Sequence, residues 1–102
     1  MVQGLGYGVM EEIMTADGQI STLSLGDYKL PTVKDIPELV TVLLESSPGP
    51  APYQGKGIGE SSNIPVAAAI ANAVAAAVGV RITELPVTAE KVFAALRAKS
   101  GA

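Results

Sequence analysis

The chain has 102 residues, enough for one small domain with a modest core. Hydrophobic residues make up 48% of it, yet one Phe, three Tyr and no Trp leave Ala, Val, Ile and Leu to build that core. Seven basic against ten acidic residues, with no basic run, exclude a nucleic-acid backbone as partner, and the lack of Cys and His excludes disulfides, thiolate nucleophiles, His-based triads and ordinary zinc clusters.

Residues 2–14 carry glycines at 4, 6 and 8, then place Val9, Met10, Ile13 and Met14 on one helical stripe with Glu11 and Glu12 off it. This pattern predicts a helix that firms up beyond its glycines. There is no basic n-region before residue 10, so the start does not read as a secretory signal and a cytoplasmic setting is the default expectation. Asp17-Gly18, between Ile13-Met14 and Ile20, predicts a tight hairpin turn. Residues 22–28 alternate weakly, and Pro31 and Pro37 bracket a loop. Leu39-Val40-Thr41-Val42-Leu43-Leu44 is the clearest predicted strand, short, rich in β-branched residues and bounded by Pro37 and Ser46-Ser47-Pro48.

Residues 46–59 form a loop stiffened by Pro48, Pro50 and Pro52 and loosened by Gly55, Gly57 and Gly59. Ser61, Ser62 and Asn63 offer capping oxygens, Pro65 suits a first helical turn, residues 67–78 make an alanine-rich helix, and Gly79 is its predicted C-cap. Residues 64–80 are apolar but are interrupted by Pro65, Asn72 and Gly79, and a spanning helix needs roughly 20 apolar residues, so no membrane span is expected. Residues 80–83 suggest a short strand. Thr88 caps a last helix whose stripe of Val92, Phe93 and Leu96 is expected to be buried, with Lys91, Arg97 and Lys99 facing water. The order of helix, hairpin, strand, loop, helix and helix predicts one small α+β domain, its helices packed on a short mixed or antiparallel sheet.

The chemistry concentrates in Gly55-Lys56-Gly57-Ile58-Gly59-Glu60. Two nucleotide motifs fail on spacing: five residues separate Gly49 from Gly55, and Gly57 follows Lys56 where a Walker A loop needs Ser or Thr. The final step of Gly4-x-Gly6-x-Gly8 and of Gly55-x-Gly57-x-Gly59 is one residue too short for a dinucleotide turn. Glycines here permit positive φ and close approach of main-chain N–H groups to an anion at a helix start, with Lys56 adding charge. An ordinary flexible turn remains the competing reading. Glu60, just ahead of that helix, reads either as a general base or as an acid complementing the helix dipole.

Several collinear motifs extend this reading. The glycine segment with its following apolar helix resembles the last active-site segment in the large subunit of molybdenum hydroxylases, the family of xanthine dehydrogenase, aldehyde oxidase and carbon monoxide dehydrogenase. Gln3-Gly4-Leu5-Gly6-Tyr7 with Met10-Glu11-Glu12 is similar to the helix opening the same carboxyl-terminal region, and Asp27-Tyr28-Lys29-Leu30-Pro31-Thr32, Asp35-Ile36-Pro37, residues 65–72 and Leu85-Pro86-Val87-Thr88 follow in order. Ser61-Ser62 stands where many relatives have prolines.

The resemblance implies that Gly55, Lys56, Gly57, Ile58 and Gly59 hold molybdopterin, in its cytosine dinucleotide form, and that Glu60 is the general base activating a water-derived oxygen for attack on a heteroaromatic or aldehyde carbon. Gly4, Gly6 and Tyr7 are expected to pack rather than to bind cofactor. No residue is expected to ligate the metal directly. Residues 1–102 are then expected to be a carboxyl-terminal fragment, inactive alone, that depends on the rest of the subunit and on iron–sulfur and FAD parts elsewhere, and that meets a small-molecule substrate. Competing readings are a stand-alone structural or interaction module without catalytic activity, and an anion-binding domain without molybdenum.

Overall fold

The first helix forms because of what its glycines allow. In the computed structural model, which describes residues 1–44 and 48–101, α1 spans Val2–Val9 and lies on α2, Val66–Val78. Each helical glycine costs roughly 1 kcal/mol relative to Ala, so tertiary contact must compensate. Gly4, Gly6 and Gly8 are buried. A Cβ on Gly4 would sit 2.6 Å from Val66 Cβ, and one on Gly8 would meet Ile70 Cδ1 at 3.3 Å. The helix therefore occupies the glycine run and does not await the apolar residues after it. It ends where the N–H groups of Met10 and Glu11 both donate to the Gly6 carbonyl, at 2.8 and 2.9 Å.

The expected continuation to Met14 is thus corrected. The hairpin claims that residue: Ser21 N–H donates to the Met14 carbonyl at 2.9 Å, and Met14 N–H donates to Thr22 Oγ1 at 2.7 Å. The strands β1, Thr15–Ala16, and β2, Gln19–Ile20, pair antiparallel with Thr15 opposite Ile20. Asp17 and Gly18 turn at φ 50° and 77°, both left-handed, as a two-residue turn matched to strand twist requires. The chain is α+β, with three helices and this two-stranded sheet among the described residues.

Residues 22–44 contain turns but no strand. Tyr28 hydroxyl donates to Glu11 Oε2 at 2.6 Å, and Thr32 donates to Asp35 Oδ2 through its N–H at 2.8 Å and its hydroxyl at 2.7 Å. The predicted strand at residues 39–44 is not formed. A strand is stabilised by a paired ladder and covered side chains, and here Val40, Val42, Leu43 and Leu44 are 71–87% exposed. Residues 80–83 likewise have no ladder partner among the described residues and form no strand. Ser46 and Ser47, where the long loop was expected to begin, lie outside the described residues.

Gly79 closes α2 in the left-handed region at φ 69°, as its position predicts. The chain returns to α1, where Val87 N–H donates to the Gly8 carbonyl at 2.7 Å, and α3 spans Ala89–Ser100. Thr88 is its cap: Lys91 N–H donates to Thr88 Oγ1 at 3.3 Å. Two lysines of α3, their hydrogen bonds exposed to water as expected, also reach backbone. Lys99 Nζ donates to the Gly79 carbonyl and Lys91 Nζ to the Leu85 carbonyl, each at 3.0 Å. The expected buried stripe of α3 is also corrected, for Phe93 is 63% exposed and Leu96 37%. Together with Val74, Val78 and Val92 these residues line an open groove of about 420 Å³ between α2 and α3.

Among the described residues, the buried apolar side chains are Ala67, Pro86 and Val87. The radius of gyration is 17.8 Å, and the extents are 58 × 35 × 28 Å. A compact chain of this length has a radius of about 13 Å. Accessible surface is 7944 Å², where a globular monomer of 10.4 kDa exposes about 5,400 Å². Apolar surface that a closed core would cover is open.

Candidate functional site

The segment before the glycines is shaped by Pro52 and two left-handed residues. Pro52–Gln54 makes a 3₁₀ turn, with Tyr53 at φ 56° and Gln54 at φ 60°. The left-handed conformations thus fall on Tyr53 and Gln54, whereas Gly55 is extended at φ −63° and ψ 146°. Positive φ is therefore not what these glycines are for. Among the described residues, a Cβ beside Gly57 or Gly59 would meet nothing within 4 Å, so no packing against them requires glycine there either. Gly49 does have such a role: a Cβ on it would stand 2.9 Å from the Gly55 carbonyl oxygen and 3.1 Å from Lys56 Cγ. The Lys56 stem crosses its bare α-carbon, a contact that the sequence did not reveal.

Residues 55–59 are all exposed. Among the described residues, the main-chain N–H groups of Gly57, Ile58 and Gly59 donate to no backbone acceptor. A row of free N–H donors with open space beside two α-carbons can receive an anionic group from outside.

Glu60 follows at a bend, and a turn over residues 61–65 separates it from Val66 at the start of α2. The loop therefore does not run straight into the helix. Dipole effects fall off within the first turn, so the dipole-complementing role expected of Glu60 has no geometric support. Ser61, Ser62 and Asn63 do not cap α2 with their side chains; Pro65 holds the cap position. Backbone bonds do that work, from Asn63 N–H to the Glu60 carbonyl at 2.9 Å and from Val66 N–H to the Asn63 carbonyl at 3.2 Å.

Two side chains of α1 hold this turn. Gln3 Nε2 donates to Glu60 Oε1 at 2.9 Å, and Tyr7 hydroxyl donates to the Asn63 carbonyl at 3.1 Å. Gln3 and Tyr7 are four residues apart, hence on one helix face, which is the signal that the sequence offered for their shared task. Asn63 Oδ1 is buried without a hydrogen-bond partner, against the α-carbon of Gly4, where a Cβ would be 2.6 Å away. The expectation that Gly4, Gly6 and Tyr7 serve packing agrees with these contacts. Beside the turn, Met1, Val2, residues 39–43, Ile58 and Ser62 line an apolar groove of about 570 Å³.

Comparison with known proteins gives this geometry its context. Residues 1–37 match a family model for the molybdopterin cofactor-binding domain. The putative xanthine dehydrogenase molybdenum-binding subunit of Escherichia coli strain K12 is 39% identical over 95 residues, covering 91% of this chain and 13% of that protein. This chain belongs to the xanthine dehydrogenase and aldehyde oxidase family of molybdenum-binding subunits. The aldehyde oxidoreductase molybdenum-binding subunit of the same strain is 35% identical over 96 residues, again 91% of this chain and 13% of the relative. Among solved structures, quinoline 2-oxidoreductase from Pseudomonas putida 86 superposes with a TM-score of 0.85 at 37% identity, covering 94% of this chain and 13% of that one. The chain thus spans about an eighth of the length of these relatives. Among the described residues, no three His, Cys, Asp or Glu side chains converge as a metal would need, and no helix is long and apolar enough to cross a membrane.

Proposed function

We propose that residues 1–102 form the carboxyl-terminal wall of the cofactor site in a molybdenum hydroxylase of the xanthine dehydrogenase and aldehyde oxidase type. In this reading the complete enzyme hydroxylates a heteroaromatic or aldehyde carbon with oxygen from water, in the cytoplasm. The observation that carries it is the pairing of an open glycine backbone with a single carboxylate held beside it, in a chain aligned over nine-tenths of its length with molybdenum-binding subunits. The donor set fits the cofactor: free N–H groups at Gly57, Ile58 and Gly59 and the ammonium of Lys56 suit a phosphate-bearing pterin, here taken as molybdopterin cytosine dinucleotide. Gly55 completes the loop, and its extended backbone leads the other four residues out into solvent.

When bound, the cofactor supplies the two-electron oxidation. Glu60 supplies an acceptor for the proton released as the oxygen nucleophile forms. The remaining apolar walls come from the rest of the molybdenum-binding subunit, which packs on the groove lined by residues 39–43 and Ile58. Electrons leave through iron–sulfur and flavin parts, since this chain has no Cys to hold a cluster.

Glu60→Gln in the complete enzyme keeps the side chain's shape and removes the base. Turnover is expected to fall by about 10²- to 10⁴-fold with molybdenum content unchanged. Full turnover at normal molybdenum loading would sink the role assigned to Glu60.

A further inference from the structure

The turn that carries Glu60 is fastened at both ends to one face of α1. Gln3 reaches the Glu60 carboxylate at 2.9 Å, Tyr7 reaches the Asn63 carbonyl at 3.1 Å, and the bond from Asn63 N–H to the Glu60 carbonyl, 2.9 Å, closes the turn between them. The adjacent face of α1 presents Gly4 and Gly8 to α2, so the helix approaches closely enough that a Cβ on Gly4 would be 2.6 Å from both Asn63 Oδ1 and Val66 Cβ.

We propose that Gln3 is a positioning residue that aims the Glu60 carboxylate, with Tyr7 fixing the far end of the same turn. This rests on the reading of Glu60 as the base. A carboxylate has two oxygens, and a base must present one of them at a fixed angle. The Gln3 amide occupies Oε1 and leaves Oε2 to take the proton. Gln suits the task because its amide donates a hydrogen bond without titrating, so it holds the carboxylate and does not compete for the proton. Glu60 is otherwise exposed on a bend, where a side chain samples several rotamers, and a base displaced by about 1 Å can lose on the order of 10²-fold in rate.

The test uses the complete enzyme and a double-mutant cycle. Gln3→Met keeps length and helical preference but removes the donor. We expect kcat to fall by about 10- to 100-fold while KM and molybdenum content stay at wild-type values. Gln3→Glu, which sets a like charge against Glu60, falls at least as far. In a Glu60→Gln background, followed by single-turnover reduction of the cofactor, Gln3→Met costs nothing further, because the group it aims is gone. Equal losses in both backgrounds, or loss of molybdenum on Gln3→Met, would overturn the proposal by giving Gln3 a role of its own. Wild-type kcat in Gln3→Met with Glu60→Gln inactive refutes positioning and leaves the base standing. Wild-type kcat in Glu60→Gln refutes the base, and positioning falls with it.

Discussion

Replacing Gly4 with Ala sets two effects of opposite sign against each other, and the structure decides between them. In a helix interior the change gains about 0.5–1 kcal/mol from backbone entropy. Against this, the new methyl would lie 2.6 Å from Val66 Cβ and 3.0 Å from Val66 Cγ1, in the first turn of α2. A Cβ cannot swing aside, so α1 must move off α2, at the 1–3 kcal/mol typical of overpacking, about. At the middle of both ranges the net loss is about 1 kcal/mol, or a fall in Tm of roughly 4–8 °C for a chain of this size. Gly8→Ala is the control from the same helix face. Its methyl meets only Ile70 Cδ1 at 3.3 Å, the free end of a side chain that can rotate, with Ala67 Cα beyond at 3.6 Å. That variant is expected to hold or raise Tm by a few degrees, about 2–5 °C. Thermal unfolding followed by far-ultraviolet circular dichroism reads both. Equal shifts in the two variants, or Gly4→Ala at or above wild-type Tm, would refute the claim that Gly4 sets the approach of α1 to α2.

Thr88→Ala removes the side-chain acceptor of the Lys91 amide, so α3 should lose about 1 kcal/mol at its start and the Lys91 amide should exchange roughly fivefold faster. Unchanged exchange would count against Thr88 as the cap. The Asp35 carboxyl is held below its ordinary value by the Thr32 hydroxyl first and the Thr32 N–H second. Because the folded value is depressed, the turn's stabilisation is complete above the ordinary carboxylate range and is lost as pH falls through the folded value. In an NMR titration Thr32→Val should move the Asp35 midpoint upward, and an unmoved midpoint contradicts the assignment. Finally, the isolated chain should bind no molybdenum and should self-associate through residues 39–44, which are close to half exposed or more. A monodisperse monomer by light scattering at high concentration, or stoichiometric metal in the purified chain, would refute those expectations.

Local signals were legible wherever the chain solves its own problem. Asp17-Gly18 made a hairpin turn because positive φ is available to those two residues in any context. Thr88, Gly79 and the alanine-rich run between residues 66 and 78 gave a cap, a stop and a helix for similar reasons. The sequence also carried the glycine run beside Glu60, and with it the family resemblance. What misled was periodicity without a partner. Residues 39–44 have the composition of a buried strand, but a ladder needs a second edge, and none is present among the described residues. Val92, Phe93 and Leu96 form an apolar stripe whose groove stays open among the described residues.

By itself, then, the sequence determined the turn, the caps, the helices and the presence of one carboxylate at the end of an open glycine segment, because each depends on the φ preference, hydrogen-bonding groups or spacing of neighbouring residues. Only the tertiary structure decided that α1 forms through its glycines, that left-handed backbone falls at Tyr53 and Gln54, and that Gln3 meets Glu60 across 57 positions of sequence. The first and last of these depend on how closely α1 approaches α2 and the turn before it, a distance that the missing Cβ atoms of Gly4 and Gly8 allow.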